Sequence, residues 1–195
     1  MTVLIANKKV RISDHKMLTY EDYIRLTPTE SGGYELHNGK INVMPTPIPL
    51  HQEISFELSL LLGFFIKKNK LGKLYTAPMD VKFSTYDTFQ PDLLFISEKN
   101  LHIIGEKKIE GAPDLVIEIL SDGNTAKEMN YKKYVYESSG VREYWIINPT
   151  KQTLRQYENK ENELFMINEF AINDILQSIV IQDFTFKISD IFPTN

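Results

Sequence analysis

No cysteine occurs among the 195 residues, which excludes disulfides, cysteine-ligated zinc and a thiol nucleophile. That agrees with a reducing cytoplasm, the expected location. Long apolar runs are missing too. The best candidate, "LSLLLGFFI" (58–66), is half of the roughly 18 residues a membrane span needs. The N-terminal "MTVLIANKKVRISDHK" lacks the order of basic region, apolar core and small-residue cleavage site that export requires. Positive charge is not in excess: the net charge is −4, which argues against wrapping nucleic acid by charge alone. It leaves room for an enzyme that brings cations to a phosphate, because an empty metal site is itself acidic. There is no Gly-rich phosphate loop, Rossmann fingerprint, His-Glu-X-X-His motif or serine nucleophile elbow, so no organic cofactor is expected.

What is present is ordinary globular composition, 42% hydrophobic and 25% charged with 9 Gly and 9 Pro. The length favours one domain over 1–195, large enough for a real core. "LTYEDYIRL" reads as a short helix capped by Thr19 and stopped by Pro28. Asn38-Gly39 between short alternating runs signals a hairpin. The stiff "MPTPIP" (44–49) leads to a helix over 51–68, with Ile54, Leu58, Leu61, Leu62 and Phe65 at helical spacing. Lys67, Lys68, Lys70 and Lys73 follow at its C-terminal end, where they suit the helix dipole. Strands are predicted near 76–83, 90–96 and 114–120, with a polar connection between the last two. A second helix over 125–138 ends at Gly140, and "REYWIINP" closes as a strand at Pro149. The tail alternates in "TLRQYEN" and "FTFKISDIF", implying further strands. The class is mixed α/β.

Two acids stand out, each at the mouth of or within a strand otherwise apolar. In "APDLVIEIL" strand parity sets Asp114, Val116, Glu118 and Leu120 on one face; in "QPDLLFI" Asp92 shares a face with Leu94 and Ile96. If these strands are neighbours, Asp92 and Glu118 converge at one edge of the sheet. Converging carboxylates need a shared proton or a cation, and carboxylate oxygens suit Mg²⁺. The plainer reading, acids solvated at strand ends, fits Asp92 better than Glu118, since a fully buried unpaired Glu is rare.

Taken in order, "YELHNG", "HQEI", "QPDLLFI", "PDLVIEILS" and "KYVYESSGVREYWIINP" resemble the Uma-type (Uma-two) endonuclease family of the PD-(D/E)XK nuclease superfamily, over about Thr19 to Pro149. The resemblance implies a restriction-endonuclease-like α/β core of helix-strand-strand-strand-helix-strand, a mixed sheet flanked by helices with an extra N-terminal hairpin and C-terminal strands. It implies Asp92 and Glu118 as metal ligands, joined by the Ile119 carbonyl, with Mg²⁺ (or Mn²⁺) as cofactor. Asp114, four residues before Glu118, is then second to the site or structural. The superfamily's acid-X-Lys would put lysine at 120, where this chain has Leu120; the matching lysine lies on the following helix at Lys132, with Lys133 as the fallback. Where the family usually has aspartate, this chain has Glu128. Glu35 matches an acidic position, as a third carboxylate of the catalytic set or as a surface hairpin residue. His51 matches a histidine that either orients water or phosphate or is structural. Tyr144 and Trp145 read as packing. The implied activity is Mg-dependent hydrolysis of DNA phosphodiester bonds, by a homodimer, with Lys67 to Lys73 against the duplex backbone. The alternative is a catalytically inactive nuclease-fold module that binds nucleic acid or a protein. A glycosidase-like acid pair would leave the lysine without a role.

Overall fold

The chain opens with an antiparallel pair, β1 (Thr2–Ile5) and β2 (Lys8–Arg11). The structure is a computed structural model that describes residues 2–5, 8–11, 17–27, 33–121 and 123–193. Thr19 accepts from the Asp22 amide and the Asp22 carboxylate accepts from the Thr19 amide. This capping box starts α1 (Tyr20–Leu26) and satisfies two otherwise orphaned N–H groups. The stop expected at Pro28 lies outside the described residues. The hairpin β3 (Tyr34–His37) and β4 (Lys40–Val43) turns at Asn38 and Gly39, both left-handed with φ 47° and 68°, as a type I′ turn demands.

Helix α2 (Pro49–Asn69) starts two residues earlier than the spacing predicts, because Pro49 sits in its first turn, where a missing N–H costs nothing. It buries Ile54, Leu58, Leu62 and Ile66. After it come β5 (Gly72–Thr76), β6 (Val81–Lys82), β7 (Thr88–Phe89), β8 (Leu93–Ser97), a 3₁₀ turn (Glu98–Ile103), β9 (Ile109–Glu110) and β10 (Leu115–Ile119). The single strand expected over 76–83 is therefore corrected to β5 and β6, which lie in different sheets. Pro78 has no N–H to continue the ladder; the last rung is the Ala77 amide donating to the Asp92 carbonyl at 3.0 Å. The strand expected over 90–96 likewise begins at Leu93, just past Pro91.

Thr125 caps α3 (Ala126–Ser139), which ends at Gly140 with φ 91°. Then follow β11 (Glu143–Asn148), β12 (Thr153–Lys160), β13 (Glu163–Phe170), β14 (Ile175–Gln177) and β15 (Thr185–Lys187). The "FTFKISDIF" tail is strand only to Lys187 and then turns as a 3₁₀ helix, Ile188–Ile191.

The central sheet runs β13-β12-β11-β10-β8-β5, parallel between β10 and β11 and antiparallel elsewhere. A smaller sheet runs β4-β3-β7-β6-β9. One face of the central sheet, with Leu93, Phe95, Leu115, Ile117 and Ile119, packs on α2. Val116, on the other face, packs with Tyr136 and Val135 of α3 and with Phe89 of the small sheet. Tyr144 and Trp145 are both fully buried. The register pairs Val116 with Leu94 and Ile117 with Leu93; one step further, Glu118 stands opposite Asp92. No helix among the described residues is long and apolar enough to cross a membrane.

Candidate active site

Asp92 sits at the mouth of β8, and its Oδ2 accepts the Ile119 amide at 2.7 Å. That bond ties the end of β10 to Asp92 and occupies one carboxylate oxygen. The other, Oδ1, lies 3.2 Å from His51 Nε2, brought in by the first turn of α2. Burial opposes protonation of His51, but the Asp92 hydrogen bond and charge, with the Ile119 backbone, push its pKa up. Its Nδ1 is buried without a partner among the described residues.

Glu118 lies on the α3 side of β10. Lys132 Nζ and the Tyr136 hydroxyl both donate to its Oε1, at 3.0 Å and 2.5 Å. Lys132 and Tyr136 are four residues apart on α3 and so share a face. Oε2 is the oxygen left for the cavity that Glu118 lines. Burial pushes the Glu118 carboxyl up to about 7; the Lys132 ammonium opposes this, while the charges of Asp92 and Glu35 add to it.

Lys132 is 1% exposed, and its Nζ is also 3.0 Å from Glu35 Oε1. Burial alone would drive its proton off, but the two carboxylates hold its pKa well above the usual lysine range. Glu35, fully buried on β3, accepts the Gln90 amide at 2.7 Å, and its Oε2 is 2.7 Å from His37 Nε2. Burial would raise its pKa, yet the Lys132 ammonium and His37 hold it down at about 2. The helix thus sets an ammonium between a carboxylate of the central sheet and one of the small sheet.

Asp92, Glu118, Glu35, Lys132 and His51 therefore lie together. Asp92, Glu118, Ile119 and His51 line a cavity of about 400 Å³, walled by Pro45, Pro47 and Pro78. Lys132 and Glu35 stand behind Glu118, away from the cavity wall. Lys133 points elsewhere, paired with Glu137 at 3.0 Å and lying over the Tyr157 ring. Asp114 is a structural tie: it accepts from the Ser97 amide, Asn100 Nδ2 and Arg142 Nη1. Lys67 and Lys68 stand at the far end of α2 from His51, about 24 Å along the helix at 1.5 Å per residue.

Two carboxylates, Glu118 and Glu35, flank one buried ammonium, while Asp92 and Glu118, the latter pushed up to about 7, line the cavity; paired carboxylate oxygens are the ligand type a hard divalent cation takes. Among the described residues, the group of three acid or histidine side chains whose ligand atoms lie within 4.8 Å of one another is Glu35, His37 and Glu128, but Glu35 there is shared with Lys132. Sequence reasoning gave no role to Tyr136, Gln90 or His37. Only Tyr136 carried a signal, the four-residue step from Lys132; the other two reach the site through the small sheet.

The family described as "Uma2: Putative restriction endonuclease" matches residues 20–188. Among solved structures, the chain is similar to a protein from Anabaena variabilis ATCC 29413 titled a "putative nuclease belonging to DUF820". The TM-score is 0.74 at 20% identity, covering 90% of this chain and 97% of that one. That likeness extends to the fold. No curated protein matches significantly.

Proposed function

The chain belongs to the Uma2 family, and from that premise we propose that it is a metal-dependent endonuclease hydrolysing DNA phosphodiester bonds. The observation that carries the reading is the buried Lys132 ammonium, 3.0 Å from both Glu118 and Glu35, behind a carboxylate pair that opens on a cavity. Asp92, Glu118 and the Ile119 carbonyl would hold Mg²⁺ or Mn²⁺, which supplies positive charge at the phosphate and acidifies a bound water. Lys132 and Tyr136 fix Glu118 through Oε1 and turn Oε2 to the cavity. The ammonium also offsets, one carboxylate away, the negative charge that builds on the phosphate. His51 and the Ile119 amide hold Asp92 from its two oxygens, so neither ligand has to be ordered when substrate arrives.

The test is calorimetric titration of Mn²⁺ together with nicking of supercoiled plasmid. Asp92→Asn and Glu118→Gln keep shape and remove charge, so each should lose metal binding and nicking while remaining folded. Either variant binding Mn²⁺ as the parent does would displace the metal site. The second reading, an inactive nuclease-fold module, draws on the cavity lining, which among the described residues carries no lysine or arginine, and on the net charge of −4. A parent chain whose melting temperature ignores millimolar Mg²⁺ and Mn²⁺ would favour it, because a ligand specific to the folded state must stabilise that state.

A further inference from the structure

The outward face of α2 carries a stripe of large apolar side chains at four-residue spacing. Phe56 is 60% exposed, Leu60 51% and Phe64 72%. They are flanked by exposed Gln52 and Glu53 at the N-terminal side and by exposed Lys67 and Lys68 at the C-terminal side. Between Gln52 and Lys68 these are all of the exposed positions, and they are symmetric about Leu60. Reversing the helix about that residue exchanges Phe56 with Phe64, Glu53 with Lys67 and Gln52 with Lys68. Acid therefore falls on base and aromatic on aromatic. Neither Glu53 nor Lys67 has an ion-pair partner within the chain among the described residues; Lys68 lies 5.9 Å over the Phe64 ring.

A two-fold interface brings the same patch of each copy together, with residue i on j and j on i, so a helix face can serve only if it is complementary to its own reversal. This face is. We propose that α2 is the dimerisation element of this protein, pairing antiparallel with α2 of a second copy about an axis at Leu60. The apolar centre supplies the burial. The two Glu53–Lys67 pairs stand at the rim, where charge sets register and partner choice more than affinity. A parallel pairing would set Glu53 against Glu53 and Lys67 against Lys67. A chain of net charge −4 gains from a contact whose own charges cancel. His51 lies near the N-terminal end of each α2, so the two candidate active sites would fall on opposite sides of the axis, about 27 Å apart along the helices at 1.5 Å per residue.

The test is the mass of the full chain in solution by sedimentation or light scattering, and it does not depend on nuclease activity. The parent should be a dimer in the micromolar range. Leu60→Glu, which sets two carboxylates on the axis, should be a monomer with unchanged circular dichroism and melting behaviour of a folded chain. Glu53→Lys and Lys67→Glu should each weaken the dimer, and the two together should restore it, as only the antiparallel register allows. The cysteine-free background adds a direct check: Leu60→Cys should form a disulfide-linked dimer on oxidation, and Gln52→Cys should not. A monomeric parent, a Leu60→Glu chain that still dimerises, or a double charge reversal no better than the single ones would each overturn the proposal.

Discussion

Two buried carboxylates, Glu118 and Glu35, depend on Lys132. Replacing it with methionine keeps the aliphatic stem and leaves Glu35 without its counter-charge, and breaking a buried pair from one side costs about 3–5 kcal/mol. Denaturant unfolding of Lys132→Met should show a loss of that order, and adding Glu35→Gln should recover part of it. Lys132→Ala should abolish plasmid nicking yet retain Mn²⁺ binding, since an ammonium is not a ligand. Lys133→Ala should leave both nicking and Mn²⁺ binding close to the parent's, because one step along a helix turns a side chain by about 100° and Lys133 is already held by Glu137. Glu118 adds a pH dependence. Its carboxyl titrates near 4.5 when exposed and at about 7 when folded. Between those values the folded state holds the extra proton, so the metal-free protein should lose stability as pH rises through that window. Glu35 acts in the opposite sense: its depressed pKa contributes stability above 4.5 that is lost as pH falls toward about 2. Melting in EDTA across pH 4 to 8 (roughly the window over which linkage acts) should show the decline, and Glu118→Gln should flatten it. A parent curve rising across that window would contradict the assignment.

Elements deliver these residues to one point. The β3–β4 hairpin presents Glu35, and its turn depends on Gly39, whose φ is 68°. A Cβ there would lie 2.7 Å from Met17 Cβ and 3.0 Å from the Leu18 amide nitrogen, so strain in the left-handed region is joined by a clash with backbone. Gly39→Ala should cost at least about 1–2 kcal/mol, read as a lower urea midpoint, and should loosen Glu35 at the Lys132 centre. Much of this level is legible in the chain itself: Asn38-Gly39, the Thr19 and Thr125 caps, Gly140 and the spacing of Ile54, Leu58 and Leu62 are local signals with local causes. The strand expected over 76–83 fails for a local reason also, since Pro78 ends the ladder that alternation alone would continue.

Across the whole molecule, Glu143 joins the C-terminal region to the core. Fully buried on β11, its carboxylate accepts from Trp145 Nε1, Gln156 Nε2, Ser178 Oγ and the amides of Ile179 and Val180, at 2.7 to 3.0 Å. Glu143→Gln turns one acceptor into a donor facing donors, and each buried group left unmade costs about 1–3 kcal/mol. The variant should unfold at lower denaturant, and protease should cut its C-terminal segment first. Nothing in "VREYWI" announces this role, because all but one of the donors lie 13 to 37 residues away.

The sequence by itself determined the helices, the hairpin, the apolar strands and the odd placing of acids at Asp92 and Glu118, because capping, periodicity and side-chain parity act over a few residues. Neighbouring strands were enough to set those two acids opposite each other. Only the tertiary structure shows that Lys132, and not Lys133, meets Glu118 and Glu35, since both follow Met129 on one helix. It also decided that Glu35 is fully buried rather than on a surface hairpin, and that Asp114 ties loops together away from the cavity. The reason is the same in each case: a buried charge persists only where partners from distant segments satisfy it, and no local rule encodes which distant segments those are.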